Sequence, residues 1–271
     1  LTIIDGLIND NRPIRELLND RAWSYKTPDS WAEQLRQRNI EQIFDLHPND
    51  RGVRDFDGIR MVDGTPHCPA MPDHLIDIPR PTTLSPGTLK QKATPEEVKA
   101  HKRRAKKIDD FHNLISERET WAFRRVANAN KRGDERWQCP AQAGKRICEH
   151  CPMSELLPEE TPRVDNPPAA QTRPKACRQS TITIPAAANA KLRQRLYWGS
   201  PEWVASYNRR TYVEGFFGTL KSGSKMTRDW CRVVGLVKTS LLAACAAAAG
   251  SGCREPSTES TARCASTCAT S

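Results

Sequence analysis

The segment 207–221, YNRRTYVEGFFGTLK, places the tightest constraint on the fold of this chain. In a helix of about 3.6 residues per turn, offsets of three, seven and fourteen residues return to nearly the same direction. The polar and charged residues at those offsets are Tyr207, Arg210, Glu214 and Lys221. The adjoining face is apolar, and Ser200 with Pro201 suits a helix N-terminus. We therefore expect one amphipathic helix that begins near Pro201 and carries Glu214 at the edge of the core.

The side chains on this stripe suit phosphodiester chemistry. A carboxylate such as Glu214 can hold a divalent cation through oxygen, while Arg210 and Lys221 can contact phosphates. The alternative is a solvated helix face in which Arg210 and Glu214 form an i,i+4 ion pair. Helical spacing alone favours the alternative.

The same residues resemble a known family signature. The spacing Tyr-x2-Arg-x3-Glu-x6-Lys is similar to the C-terminal motif of bacterial insertion-sequence transposases with a DDE (Asp, Asp, Glu) catalytic triad. The surrounding RRTYVEGFFGTLKS and the later RDWCRVVGL resemble actinobacterial transposase-like proteins, from about residue 7 to residue 249. The resemblance implies that Glu214 is the metal-binding Glu of the triad, and that Tyr207, Arg210 and Lys221 grip phosphates near the cleavage point.

A second, shorter motif lies near the start of the chain. The apolar segment 14–19, IRELLN, leads into Asp20, and open α/β sheets commonly place their chemistry at the C-terminal ends of strands. Asp20, Ala22 and Trp23 resemble the second-carboxylate motif of the same transposases. A lone Asp in this position is otherwise a turn or cap residue. The resemblance implies that Asp20 is the second Asp of the triad.

The resemblance also implies an RNase H-like fold, whose first strand carries the first Asp of the triad. Nineteen residues precede Asp20, which are too few for the strands expected there at about five residues each. We therefore expect an N-terminally truncated copy that is inactive or nearly so. A whole site would use Mg²⁺ or Mn²⁺ to cleave DNA at transposon ends and transfer the strand, with the protein as a homo-oligomer on those ends.

Charge favours an anionic partner. The chain has 42 Lys and Arg against 32 Asp and Glu, a formal net charge of +10, which attracts nucleic acid over long range. The absence of an N-terminal signal pattern and the ten cysteines indicate a reducing compartment. We expect a cytoplasmic, nucleoid-associated protein that binds DNA, with neither a membrane partner nor a small-molecule substrate.

A basic helix is expected in the middle of the chain. Thr94-Pro95-Glu96-Glu97 is a strong helix start, and no Gly or Pro interrupts residues 98–130. Its first half is rich in Lys and Arg, including Lys102, Arg103 and Arg104. Such a charge run is either a solvated face or a surface that contacts DNA phosphates.

Four cysteines downstream offer a second kind of metal site. Cys148 and Cys151 form a C-x-x-C pair, and Cys139 and Cys177 flank it. Four thiolates could close a structural zinc site, with His150 as a substitute ligand. The irregular spacing favours the alternative of unligated thiols in a loop-rich insertion.

These patterns predict an α/β chain with a partial RNase H-like core and a long helical, Cys-containing insertion between Asp20 and the Glu214 helix. The expected divisions are a first core part (1–48), the insertion (49–180), a second core part (181–250) and a disordered tail (251–271). After Asp20 the first core part is expected to hold a helix over 27–38 and a strand over 40–46. A hairpin is expected at Asp63-Gly64 in the insertion, and a last helix over 227–250. Two other functions stay open. One is a non-catalytic nucleic-acid-binding protein that uses the basic helix and a zinc-held module, and the other is a decayed remnant without function.

Overall fold

The computed structural model describes residues 1–20, 23, 26–127 and 129–223, with the backbone alone at 217 and 219–223. Its contacts divide the chain into two compact units, Leu1–Tyr207 and Asn208–Ser271. The mixture of helices and strands agrees with an α/β chain. The RNase H-like core and the four expected domain divisions stay predictions. The helix expected over 227–250 and the tail from Ser251 lie outside the described residues.

The N-terminal part of the first unit is a small parallel βαβ arrangement. Helix α1 (Thr2–Asn9) precedes strand β1 (Glu16–Asn19), and helix α2 (Ala32–Gln37) connects it to strand β2 (Glu41–Phe44). The two strands pair in parallel, with Leu18 opposite Ile43. The expected strand before Asp20 and the expected helix and strand after it are therefore confirmed.

An asparagine ends α2 and directs the chain into β2. Asn39 adopts a left-handed conformation with φ of 55°, which Asn tolerates better than most residues. The Ile40 amide donates to Leu35 O at 3.0 Å, and the Asn39 amide donates to Arg36 O at 2.9 Å. These two bonds form a Schellman motif, which satisfies the last carbonyls of the helix. The Ile40 and Leu35 side chains pack together with Trp31, so the helix end is also fixed by apolar contact.

The next sheet is an antiparallel meander of β3 (Val53–Phe56), β4 (Ile59–Val62) and β5 (Thr65–His67). Asp63 and Gly64 connect β4 to β5 with φ values of 49° and 83°. Positive φ at both central residues suits the right-handed twist of a two-residue hairpin. The hairpin predicted at Asp63-Gly64 is confirmed.

The longest helix, α3 (Pro95–Trp121), begins where the sequence predicts and ends earlier than expected. Thr94 Oγ1 accepts from the Glu97 amide at 3.2 Å, and the Glu97 carboxylate accepts from the Thr94 amide at 2.8 Å, which completes a capping box. The expectation of a helix through residue 130 was wrong. The backbone becomes extended at Ala122, because the Phe123 amide donates to Pro66 O at 2.9 Å beside the edge of β5.

A third, antiparallel sheet and three short helices complete the described chain. Strand β7 (Glu135–Gln138) pairs with both β6 (Arg124–Arg125) and β8 (Ile182–Ile184). Helices α4 (Ala186–Asn189), α5 (Pro201–Asn208) and α6 (Arg210–Gly223) follow. No helix in the described ranges is both long and apolar enough to cross a membrane.

The main core of the first unit joins parts that the sequence assigns to different segments. Ile43 and Phe44 of β2 pack with Phe111 and Ile115 of α3, and Trp203 of α5 belongs to the same cluster. Residues from the predicted insertion and from both predicted core parts therefore bury one another.

A buried polar network lies inside this core. Arg118 Nη1 donates to Asp63 Oδ2 at 2.8 Å, and Arg118 Nε donates to the Tyr197 hydroxyl at 2.8 Å. The Tyr197 hydroxyl donates in turn to His67 Nε2 at 2.8 Å, because His67 Nδ1 is bonded to Thr65 O at 2.8 Å. Every polar end in this chain of contacts has a partner, which is what makes burial of such groups tolerable.

The imidazole of His67 is neutral in this environment. Burial, and then the positive charge of Arg118, lower the pKa of His67 from its ordinary value near 6.5 to about 3. The unfolded chain takes up a proton on this residue as the pH falls below about 6.5, whereas the folded chain does not. Acid therefore favours the unfolded state through His67.

We predict that His67→Gln reduces the loss of stability between about pH 7 and about pH 5. The wild-type free energy of unfolding should fall in this window because only the unfolded state gains a proton on His67. Urea unfolding at the two pH values measures the difference. An equal loss in wild type and His67→Gln would contradict the prediction.

Candidate functional site

Asp20 follows strand β1 directly, at the C-terminal end of a parallel strand. It is exposed, while the preceding Asn19 is buried and donates to Gln42 Oε1 of β2 at 3.5 Å. The Trp23 amide donates to Asp20 O at 3.1 Å, and the Trp23 ring stacks on Trp31 with 3.9 Å between centroids. The Asp20 main chain is therefore held between a buried strand and an anchored indole, with the carboxylate on the surface.

Glu214 lies on α6 and is also exposed. Its carboxylate forms an i,i+4 ion pair with Arg210 Nη1 at 3.3 Å, the contact that the alternative interpretation of this helix predicts. A carboxylate has about four acceptor sites, so one contact with a guanidinium leaves capacity for a cation. Lys221 belongs to the same helix, and its side chain is outside the described residues.

The structure interrupts the single helix that the sequence predicts. Helix α5 ends at Asn208 and α6 begins at Arg210, with a turn at Arg209 between them. The expected start is confirmed, because Ser200 Oγ accepts from the Trp203 amide at 3.2 Å. The expectation of one continuous helix was wrong.

Tyr207 belongs to the core of the first unit. Its side chain is buried, and its ring stacks on the fully buried Trp203 with 4.8 Å between centroids and 12° between planes. Stacking and burial give this aromatic ring a packing role, which the sequence pattern did not indicate. The phosphate contact expected of Tyr207 stays a prediction.

The two assigned carboxylates belong to different compact units, Asp20 to the first and Glu214 to the second. Their pairing across one metal site stays a prediction. Across the part of the chain that the structure describes, no three His, Cys, Asp or Glu side chains form a group that could hold a metal ion. Carboxylate oxygens are the ligands that Mg²⁺ prefers, so the two residues fit the ion by chemistry alone.

The predicted zinc ligands lie in one region of the first unit but do not form a metal-binding group. Cys139 and Cys151 are buried in the same apolar cluster, with Cys148 packed against it. His150 Nε2 is bonded to Pro168 O at 3.0 Å. Zinc binding by Cys139, Cys148, Cys151 and Cys177 stays a prediction.

A thiol that the sequence analysis did not single out belongs to the same neighbourhood. Burial raises the pKa of Cys68, and the thiols of Cys139, Cys177 and Cys148 raise it further. Burial likewise raises the pKa of Cys139 to about 12, and it raises the pKa values of Cys148 and Cys177. The five described cysteines are free, and these four are protonated thiols at neutral pH.

The basic half of α3 is exposed, and both interpretations of it, a solvated face and a DNA-contacting surface, stay open. Its cations are exposed, and among the described residues none is ion-paired with a carboxylate: they are Lys99, Lys102, Arg103, Arg104, Lys106 and Lys107. All but Arg104 follow an i, i+3, i+4, i+7, i+8 pattern, which places them on one side of the helix. The first buried residue of α3 is Ile108, on the opposite side.

Comparison with known proteins supports the assignment made from the Glu214 segment. Residues 121–250, slightly less than half of the chain, match the family model of a transposase DDE domain. The match includes Tyr207, Arg210, Glu214 and Lys221, and Asp20 lies outside it. No curated protein and no solved structure matches the chain. The match supports a DDE transposase, a class of mobile-element protein whose partner is DNA.

We predict that Tyr207→Ala lowers the free energy of unfolding by about 3–5 kcal/mol, because it removes a buried ring that stacks on Trp203. Tyr207→Phe keeps the ring and should cost about 1 kcal/mol or less. Urea unfolding measures both. Tyr212→Ala is the control, because Tyr212 is exposed and its loss should change stability by only about 0.5 kcal/mol. A loss for Tyr207→Ala no larger than that of the control would contradict a packing role.

Proposed function

We propose that this chain is a DDE-type transposase polypeptide in which Asp20 and Glu214 are two of the three metal-binding carboxylates. The observation that carries the proposal is the family match over residues 121–250, which contains Glu214 within the four-residue signature of the helix region. Asp20 supports it through its position after a parallel strand, ahead of the anchored Trp23. The reaction would be DNA cleavage and strand transfer at the ends of an insertion sequence.

Each residue has a role that follows from its chemistry. The carboxylates of Asp20 and Glu214 would bind Mg²⁺ or Mn²⁺, which supplies charge neutralisation and an activated oxygen nucleophile. Arg210 would orient a phosphate with a guanidinium that Glu214 already holds in place. Lys221, two turns beyond Glu214 along α6, would add a second cation for the DNA backbone.

DNA binding outside the cleavage point would use the basic half of α3. Its cations are exposed and have no carboxylate partner among the described residues, and all but Arg104 share one side of the helix. Cations of this kind release counterions from DNA when they contact phosphates. Assembly of several copies on the DNA ends is part of the same proposal. The alternative, a non-catalytic nucleic-acid-binding protein with a zinc module, is not better supported, because the family match is to a transposase DDE domain.

We predict that Glu214→Gln and Asp20→Asn each weaken Mn²⁺ binding by about tenfold or more, since even residues that only support metal ligands often contribute that much. Electron paramagnetic resonance of free Mn²⁺ in a titration with DNA present measures the affinity. Mn²⁺ affinity is the deciding readout, and any Mn²⁺-dependent nicking of the same DNA by the wild type should fall in the same variants.

Two variants of matched charge serve as controls for the metal-binding experiment. Glu202→Gln and Asp29→Asn each remove one exposed carboxylate elsewhere in the chain and should leave Mn²⁺ affinity unchanged. If the double variant Asp20→Asn/Glu214→Gln binds Mn²⁺ as tightly as these controls, the two carboxylates do not form the proposed site.

We predict that Lys102→Gln/Lys106→Gln lowers the slope of log affinity against log salt concentration by about two, because each lost phosphate contact removes about 0.9 from that slope. Fluorescence anisotropy with duplex DNA at several salt concentrations measures it. Lys175→Gln/Arg178→Gln removes the same charge from another exposed region and is the control. Equal slopes for the two double variants would mean that α3 attracts DNA only through the net charge of the chain.

A further inference from the structure

The first unit contains a cationic cleft that the sequence analysis did not predict, with a cavity volume of about 550 Å³. One wall of the cleft is the α2–β2 connection. The other is formed by residues between Arg125 and Glu135, together with Arg193. We call it the basic cleft, and its charged lining residues are Arg36, Glu41, Arg125, Lys131, Glu135 and Arg193. The volume is within the usual range of about 300–1,000 Å³ for ligand sites.

The lining carries four cations and two carboxylates. Glu33, outside the lining, is ion-paired with Arg36, so the cluster has an excess of one positive charge. Such an excess in a confined space favours an anion, because the cleft walls exclude part of the water that would otherwise screen the cations. Among the described lining residues only Ile40 and Ala129 have wholly aliphatic side chains, so an apolar ligand would find little surface to cover.

A single buried carboxylate fixes two of the guanidinium groups. Glu135 Oε1 accepts from Arg125 Nη1 at 2.9 Å and lies 3.6 Å from Arg193 Nε, while its side chain is only 4% exposed. Arg193 Nη1 also donates to Gly133 O at 2.9 Å. The guanidinium groups are therefore held in place before any ligand arrives, which reduces the entropy that binding would cost.

The third arginine is held against the loop that carries Lys131. Arg36 Nε donates to the Glu33 carboxylate at 2.8 Å, and Arg36 Nη1 donates to Lys131 O at 3.3 Å. Gly133 has φ of +88°, and a Cβ there would lie 2.8 Å from Arg36 Nε. Glycine at this position thus permits the close approach of the arginine to the loop.

The loop itself is organised so that Lys131 stands at its tip. Asn130 Oδ1 accepts from the amides of Arg132 and Asp134 at 2.9 and 3.0 Å. The ammonium of Lys131 is exposed at the cleft, and no carboxylate of the described residues is paired with it. One exposed ammonium beside three fixed guanidinium groups is a suitable arrangement for oxygen-rich anions that carry more than one charge.

We propose that the basic cleft binds phosphate groups of a nucleic-acid backbone, an inference that rests on the proposed function for the identity of the polymer. Fixed guanidinium groups match the paired oxygens of a phosphate, and the described lining offers little aliphatic surface to an apolar molecule. The cleft is a binding surface distinct from the Asp20 and Glu214 carboxylates, and it needs no metal ion.

Inorganic pyrophosphate and a labelled single-stranded oligonucleotide, each with chelator present, test the proposal by calorimetry and anisotropy. Lys131→Gln/Arg193→Gln should weaken both ligands by about tenfold or more, because hydrogen bonds to charged groups are strong. Arg193→Gln leaves Arg125 paired with Glu135, and thermal unfolding checks that the variant folds. Glu41→Gln removes a negative charge from the cleft and should strengthen both ligands severalfold.

Arg132→Gln/Arg136→Gln is the matched control, since both arginines are exposed, neighbour the cleft in sequence and do not line it. If the cleft variants weaken neither ligand more than this control does, the basic cleft is not an anion site. If they weaken pyrophosphate alone, the cleft takes a small phosphate and the nucleic-acid assignment is wrong. Because no metal is present, loss of Mn²⁺ binding at Asp20 or Glu214 would not change either result.

Discussion

The buried ion pair between Arg118 and Asp63 is the contact on which the first unit depends. It joins the last turn of α3 to the hairpin between β4 and β5, and Tyr197 ties a later segment to the same guanidinium. Transfer of two charges out of water is costly, and a buried pair is tolerated only when further hydrogen bonds satisfy its remaining atoms. The amide of Gly52, which donates to Asp63, supplies one of these bonds. The polar network therefore specifies which strands and helices meet.

This anchoring explains why α3 has two different halves. Its buried residues begin at Ile108, while the half that precedes Ile108 carries the exposed cations. The C-terminal half supplies the apolar area that stabilises the unit, so the N-terminal half does not have to bury its own side chains. A capping box at Thr94 satisfies the first amides of the helix, which a solvated end requires. The helix can thus present a row of cations that contribute little to folding.

Local signals predicted the local parts of the fold. Asp63-Gly64, the Thr94 cap and the apolar segment before Asp20 each act through residues close in sequence, and each was confirmed. Contacts between distant residues were not predictable. The end of α3 depends on pairing with Pro66, Arg118 looks like one more surface charge, and the cleft combines Arg36 with Arg193. The signature around Glu214 identified a family segment by its spacing, but the spacing did not reveal the turn at Arg209.

The two cationic surfaces of the first unit differ in how their charges are held, and this difference bears on what each can recognise. Lysines on a solvated helix keep their rotational freedom, so they attract a polyanion without selecting its conformation. The guanidinium groups around Glu135 have lost that freedom during folding, because a buried carboxylate positions them. An anion that enters the cleft must therefore fit the existing arrangement. In the proposed complex with DNA, the first surface would raise the encounter rate and the second would fix the position of one strand.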